Sequence, residues 1–174
     1  RALAPRPALL LLDEPFSNLD DMLKHQIRED INRVIRETRT TAILVTHDCE
    51  DALSISDRVA IIRNGILQQV DRPEVLYAQP ASCYVARFFG KTNILRGVAY
   101  NGGFNTPIGY ISTLDHQSAD KSIFVSIRPE HVMVVDDTTN GVEGTVRTIR
   151  FCGHYKEILL SITDAQGEDF EITA

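Results

Sequence analysis

Two neighbouring acids and a distant histidine are the side chains of this sequence best suited to chemistry. Asp13 and Glu14 directly follow the apolar residues 8–12, and His47 directly follows a second apolar run, residues 41–46. In phosphoryl transfer one carboxylate can hold a divalent cation while a second group orients the attacking water. Taken alone, an apolar run with two acids fits an ordinary buried strand with a polar exit loop equally well, so the elements around these residues must decide.

The elements that position these side chains follow one another as strand, helix and strand. The uninterrupted apolar run at 8–12 predicts a strand buried on both faces of a parallel sheet, and Pro15 should end it. A single apolar stripe predicts a helix over residues 22–36, with Lys24 and Arg28 among the charged residues of its other faces. Asp20 stands where a helix N-cap favours an acid.

The order of these elements predicts that the two acids and the histidine meet. A strand–helix–strand unit forms two parallel strands through a right-handed crossover, so that both strands end at the same edge of the sheet. Open α/β sheets bind their ligands at this edge. We therefore expect Asp13, Glu14 and His47 to converge there, although more than 30 residues separate them along the chain.

The amino-acid sequences of three segments indicate a particular protein family. LLLLDEP (residues 9–15), SNLD (17–20) and LVTHD (44–48) resemble the Walker B strand, the D-loop and the switch-histidine strand of the ATP-binding cassette (ABC) family. The resemblance extends over about the first half of the chain. It implies the fold of a P-loop NTPase, in which the first half forms the C-terminal part of a RecA-like parallel sheet.

The same resemblance implies a role for each site residue. Asp13 would hold Mg²⁺, Glu14 would be the general base or water-polarising group, and His47 would contact the γ-phosphate of ATP. Ser17 and Asp20 would be nucleotide-binding residues of the D-loop, where that aspartate reaches across a dimer interface. Because Asp20 is also a suitable helix cap, the two roles are compatible.

The second half of the sequence has a different hydrophobic pattern. Short β-rich runs separated by turn signals replace the helical periodicity and predict a small barrel or sandwich; the runs are residues 93–100, 122–127, 131–135, 141–151, 157–163 and 169–173. Residues 89–93 and 126–132 resemble the OB-like accessory domain, called TOBE, of importer ATPases. The fold class expected is thus α/β followed by a small all-β OB-like barrel, with residues 1–90 in the nucleotide-binding domain and 91–174 in the TOBE domain.

Motifs that the family uses to hold phosphate do not occur in these 174 residues. There is no Walker A loop, no Q-loop and no LSGGQ signature, and in relatives the signature lies just upstream of the position of Arg1. We therefore expect the chain to be a C-terminal fragment. Because the glycine-rich loop and its lysine supply most phosphate-binding donors, this chain by itself should bind ATP weakly or not at all.

The implied partners are transmembrane permease subunits, a second ATPase subunit in a homodimer and, indirectly, a solute-binding protein. The protein would lie peripherally at the cytoplasmic face of the plasma membrane. Ferric iron is the preferred solute, with polyamine, sulfate or sugar as alternatives. The net charge of −6 and the sequence pI near 5.3 argue against a nucleic-acid partner.

Two other functions are alternatives for this sequence. The chain would be a non-catalytic regulatory and dimerisation module if the all-β half carried its function alone. A DNA-repair ATPase of the SMC/Rad50 type shares the Asp-Glu and D-loop wording. That class would require long heptad coiled coils, and no sustained heptad pattern occurs in the sequence.

Overall fold

The computed structural model describes residues 7–17, 19–112, 122–135, 141–164 and 167–174. The chain divides into two compact units, Arg1–Phe89 and Gly90–Ala174. The first unit combines helices with short sheets, and the second is built from antiparallel strands. The structure is therefore mixed α/β, with the helices of four or more residues confined to the first unit in the part of the chain described.

The first unit begins with the expected strand–helix–strand order. Its elements are β1 (Leu9–Asp13), α1 (Asp21–Thr38), β2 (Thr41–Val45), α2 (Cys49–Ile55), β3 (Val59–Arg63), β4 (Ile66–Asp71), α3 (Pro73–Ala78) and α4 (Cys83–Phe88). Strands β1 and β2 pair in parallel, with Leu9 opposite Thr41 and Asp13 opposite Val45. The prediction that both strands end at one edge is confirmed.

Burial of β1 is less than the sequence predicted. Leu9 and Leu11 are 44% and 68% exposed, and Ile43 and Val45 on β2 are 51% and 55% exposed. The expectation of a strand buried on both faces is therefore wrong for this chain. The reason is that, within the described residues, β1 pairs only with β2, so the face carrying these four side chains is left uncovered. In the part of the chain that the structure describes, the parallel sheet has these two strands and no more.

The buried apolar core of the first unit is formed by residues that follow β2 in sequence. It is formed by buried side chains of α2, β3, α3 and α4 with the residue that follows α4, namely Ala52, Val59, Ile61, Leu76, Val85 and Phe89. Asn64 and Gly65 join β3 to β4 with φ angles of 51° and 75°. Two consecutive positive φ values identify the tight hairpin turn that Asn-Gly predicts.

The second unit contains two antiparallel sheets. One has the order β7 (Gly109–Ser112), β6 (Gly103–Thr106), β5 (Asn93–Tyr100) and β8 (Ser122–Ile127); the other has the order β11 (Asp169–Thr173), β10 (Lys156–Thr163) and β9 (Thr145–Phe151). The bounds of β5, β8 and β11 agree with the sequence prediction. Strand pairing does not close the two sheets into one barrel among the described residues.

Two strand predictions in this unit were wrong, and two strands were not predicted. Pro129–His131 is a 3₁₀ turn and residues 132–135 form no strand, because Pro129 fixes φ and supplies no N–H to a ladder. The strand expected from residue 141 begins only at Thr145. Strands β6 and β7 were missed, since they are four residues long and rich in glycine and polar residues.

Asn93 joins the two sheets of the second unit. This residue is only 7% exposed. Its side-chain amide donates to the Thr173 carbonyl at 2.8 Å, and its side-chain oxygen accepts from the Thr173 N–H at 2.8 Å. The side chain thus substitutes for a backbone strand partner, and both of its polar ends are satisfied where water has little access.

We expect Asn93→Ala to destabilise the protein by about 2 kcal/mol, because Thr173 would keep a buried donor and acceptor without partners. Urea unfolding should show the loss. Asn93→Asp is the sharper variant, since a carboxylate accepts from the Thr173 N–H but cannot donate to its carbonyl. The matched control is Asn105→Ala at an exposed position of β6; equal destabilisation by both alanine variants would contradict the linking role of Asn93.

Candidate functional site

The acid and the histidine at the ends of the parallel strands are in contact. One residue past the paired positions, the Glu14 N–H donates to the Val45 carbonyl at 2.9 Å and extends the pairing. The Glu14 carboxylate then accepts the His47 backbone N–H at 3.0 Å, and the same oxygen, Oε1, lies 2.8 Å from His47 Nδ1. The predicted meeting of Glu14 and His47 is confirmed.

Glu14 adopts an unusual backbone conformation. Its φ of 44° lies in the left-handed region, which is uncommon for a residue other than glycine. The Ser17 N–H and hydroxyl both donate to the Glu14 carbonyl, at 3.3 and 3.0 Å, and hold the turn. A conformation of this kind costs about 1–3 kcal/mol and persists only when surrounding contacts enforce it. Here the turn through Pro15 ends the strand and leaves the Glu14 side chain beside His47.

The contact changes the acid–base properties of the imidazole. The hydrogen bond to Glu14 raises the pKa of His47 above its ordinary value, and the charges of Glu14 and Asp48 act in the same direction. Lys24 opposes them. Because Nδ1 faces Glu14, Nε2 is the ring nitrogen left to face a ligand, and the His47 side chain is 79% exposed. A protonated imidazole would present an N–H donor there.

The other predicted site residues occupy less central positions. Asp20 caps α1, with its side chain accepting from the Leu23 N–H at 3.0 Å, so the predicted cap is confirmed. Ser17 contacts the Glu14 carbonyl and is exposed. In the described part of the chain Asp20 makes no hydrogen bond to Glu14 or His47. Asn18 of the SNLD segment lies outside the described residues.

Asp13 fits the chemistry of a magnesium ligand. It is exposed at the last position of β1, opposite Val45, and its carboxylate forms no ion pair within the described residues. The same residues contain no group of three or more acidic, histidine or cysteine side chains placed to hold a metal ion. Since proteins often hold Mg²⁺ through one or two carboxylates together with substrate phosphates, Asp13 suits an ion that arrives with a nucleotide.

A cluster of charged side chains beside the histidine was not predicted. We call it the α1–α2 charge cluster; its members are Lys24, Arg28, Asp48, Glu50 and Asp51. Arg28 was expected on a polar face of α1, but the residue is only 7% exposed. The spacing of the charges in the sequence could have indicated this cluster. Two cations four residues apart, Lys24 and Arg28, match two acids three residues apart, Asp48 and Asp51.

Several known proteins are similar to this chain over most of its length. Residues 125–172 match the model of the TOBE domain. The chain is 38% identical over 99% of its length to a Fe(3+) ions import ATP-binding protein of Pectobacterium atrosepticum, of which it covers 50%. It is 37% identical over 94% of its length to a spermidine/putrescine import ATP-binding protein of Mesoplasma florum, covering 48%. It is also 37% identical over 88% of its length to an sn-glycerol-3-phosphate import ATP-binding protein of Salmonella choleraesuis, covering 45%.

The parallel strand pair that ends in the glutamate–histidine contact thus precedes, along the chain, a segment that matches the TOBE domain. Over most of its length the chain is similar to ATP-binding subunits of ABC importers, and the resemblance found in its motifs is confirmed. The chain spans about half the length of the curated relatives it matches. Among the helices described, none is long and apolar enough to cross a membrane.

The raised pKa of His47 gives a pH-dependent prediction. In Glu14→Gln the pKa of His47 should fall toward its ordinary value, because the variant loses the charge-assisted hydrogen bond that favours the imidazolium. Histidine NMR titration of the chain measures the change. Asp13→Asn is the matched control, since it removes one negative charge from the adjacent residue and leaves the hydrogen bond intact; an equal fall in both variants would show that the contact itself is not the cause.

The same shift has a definite sign for stability. A histidine whose pKa is raised by folding contributes stability that is fully present below its unfolded pKa and is lost as the pH rises through the folded value. Glu14→Gln should therefore weaken the protein more at pH 5.5 than at pH 9. Urea unfolding at the two pH values measures this, and a larger effect at pH 9 would contradict the assignment.

Proposed function

We propose that this chain is part of the ATP-hydrolysing subunit of an ABC importer and that Glu14 and His47 are its catalytic residues. The observation that supports the proposal most directly is their contact at the shared edge of two parallel strands. The relatives named as import ATP-binding proteins support the same activity. Residues 1–90 would be the C-terminal part of the nucleotide-binding domain and 91–174 the TOBE domain.

The two oxygens of Glu14 suggest how the pair would act. Both contacts with His47 use Oε1, so Oε2 is the oxygen left to orient the attacking water and accept its proton. His47, held through its backbone N–H and Nδ1, would direct Nε2 toward the γ-phosphate. A donor fixed in this way stabilises charge that develops on the transferring group without having to reorganise during the reaction.

Asp13 would hold the Mg²⁺ that accompanies ATP. When bound, the metal ion would neutralise negative charge on the phosphate oxygens. Ser17 would bind nucleotide through its hydroxyl group, which in this structure donates a hydrogen bond to the Glu14 carbonyl. Asp20 would contribute from its position at the start of α1 to the site of a second copy in a homodimer, while continuing to cap the helix.

The partners proposed are transmembrane permease subunits and, through them, a solute-binding protein, with the ATPase at the cytoplasmic face of the plasma membrane. Relatives of nearly equal identity are named for Fe(3+), for spermidine and putrescine, and for sn-glycerol 3-phosphate. Ferric iron remains the preferred solute, on the wording of the first 90 residues. Overall similarity does not separate these solutes, because their recognition would belong to the binding protein and the permease.

In the full-length protein, Glu14→Gln should abolish steady-state ATP hydrolysis, because a positioned general base contributes on the order of 10²–10⁴-fold. ATP binding should persist and produce a long-lived closed dimer, detectable by size-exclusion chromatography with ATP.

The matched control is Glu74→Gln, the same substitution at an exposed position in the first turn of α3. It should keep the ATPase rate of the parent protein. Undiminished hydrolysis by Glu14→Gln would remove Glu14 from the role of base.

Nucleotide titration should separate the proposed function from the alternative of a non-catalytic module. Residues 1–174 alone should bind ATP weakly or not at all, because their sequence holds no glycine-rich phosphate loop. The full-length protein should bind it with ordinary affinity. Calorimetry with Mg²⁺ and ATP measures both. Absence of binding by the full-length protein would favour the regulatory and dimerisation role, and ATPase activity of residues 1–174 alone would contradict the dependence on that loop.

A further inference from the structure

The histidine lies between two residues that are both held by side-chain contacts. Thr46 Oγ1 accepts the Asp48 N–H at 3.0 Å and lies 3.4 Å from Asp51 Oδ2, to which it donates. Asp48 caps α2 by accepting the N–H groups of Glu50 and Asp51, at 2.8 and 3.4 Å. The backbone on either side of His47 is therefore tied to the first turn of α2.

Cations from α1 hold these acids in turn. Lys24 forms an ion pair with Asp48 and lies 3.4 Å from Asp51 Oδ1. Arg28 donates to Asp51 Oδ1 at 2.6 Å and to Glu50 Oε1 at 2.9 Å. The hydrogen bond from Lys24 holds the pKa of Asp48 below its ordinary value, so the capping carboxylate stays ionised. The α1–α2 charge cluster therefore connects the helix between the two strands to the segment that carries His47.

Burial of the charged side chains in this cluster has a desolvation cost. The side chains of Arg28 and Asp51 are 8% and 3% exposed. Taking two charges out of water costs roughly what their attraction returns, and a well-packed apolar pair would often be as stable. What a buried ion pair adds is direction, since a guanidinium and a carboxylate bond only in a narrow range of geometries.

We propose that Lys24 and Arg28 are positioning residues, which hold Asp48 and Asp51 so that residues 46–48 present the backbone N–H and imidazole of His47 to Glu14. The catalytic consequence rests on the proposed function, whereas the geometric one concerns this chain alone. Neither cation contacts Glu14 or His47 by a hydrogen bond in the described residues; both act through Asp48 and Asp51.

The chain offers a matched control on the same helix. Arg36 donates to Asp57 Oδ1 at 2.8 Å and so also joins α1 to the region around α2, but its side chain is 59% exposed and that of Asp57 is 80% exposed. Asp57 lies beyond the end of α2, away from the residues that flank His47 in sequence. Arg36→Met therefore removes a cation and an ion pair of α1 without touching the contacts of Thr46 or Asp48.

The first experiment is histidine NMR titration of the chain with Lys24→Met, Arg28→Met and Arg36→Met. The charged groups that act on His47 are Glu14, Asp48 and Lys24. Loss of a nearby cation would by its charge alone raise the pKa of His47. Loss of positioning would lower it, because the contact with Glu14 would loosen. The proposal expects a fall in Lys24→Met and Arg28→Met and no change in Arg36→Met.

Thr46→Val keeps the experiment decisive if removal of a buried cation prevents folding. It alters neither charge nor shape appreciably, and it removes the oxygen that joins Asp48 to Asp51. The pKa of His47 should fall in this variant also. Arg28→Lys, which keeps a cation near Asp51 without the two-pronged guanidinium, should lie between the parent chain and Arg28→Met.

The second experiment measures ATPase kinetics of the same variants in the full-length protein. A small misplacement of a catalytic group costs on the order of ten- to a hundredfold in rate. We expect kcat to fall by about this factor in Lys24→Met, Arg28→Met and Thr46→Val, with KM for ATP little changed, and we expect Arg36→Met to match the parent protein.

The outcomes separate this proposal from the proposed function. An unchanged or raised pKa of His47 in the folded cluster variants, or a fall of the same size in Arg36→Met, would overturn the positioning role whatever the ATPase result. So would variants that are less stable but keep both the pKa of His47 and kcat. A full-length parent protein without ATPase activity would overturn the proposed function, while the titration would still test the geometry.

Discussion

The site depends on the parallel pairing of β1 and β2. Hydrogen bonds between parallel strands fix the register, and the Glu14–Val45 bond carries it one residue past Asp13. Glu14 then turns through a left-handed conformation and meets His47, which follows β2 after a single residue. A slip of the register by one residue would turn every side chain to the opposite face and separate the acid from the imidazole.

This strand pair is also poorly covered by the rest of the first unit. Two parallel strands alone cannot cover both of their faces, and Leu11 and Val45 are more than half exposed. The buried apolar cluster of the unit instead comes from α2, β3, α3 and α4 with Phe89, the residue after α4. The catalytic residues proposed here thus stand on a small sheet, and the charge cluster between α1 and α2 adds a second, directional constraint on its edge.

Local signals were reliable where one residue type dictates the backbone. Asn64 and Gly65 form the tight turn that this dipeptide favours, Pro73 is the first residue of α3, and the predicted Asp20 cap was confirmed. Predictions failed for β6 and β7, which are short and rich in glycine and polar residues, and for the segment after Pro129. The left-handed conformation of Glu14 was not anticipated either, because local preference before proline favours an extended backbone.

The sequence by itself determined which residues could do the chemistry and that two strand ends would bring them together, because parallel strands joined by a helix must end at one edge. Three short motifs also carried the resemblance to the ABC family, which the comparisons confirm. Only the tertiary structure decided that Glu14 Oε1 serves both the backbone and the ring of His47, that Arg28 is buried, and that Asn93 pairs with Thr173. These contacts join residues 22 to 80 positions apart. Their geometry follows from how elements pack, which no local pattern of side chains records.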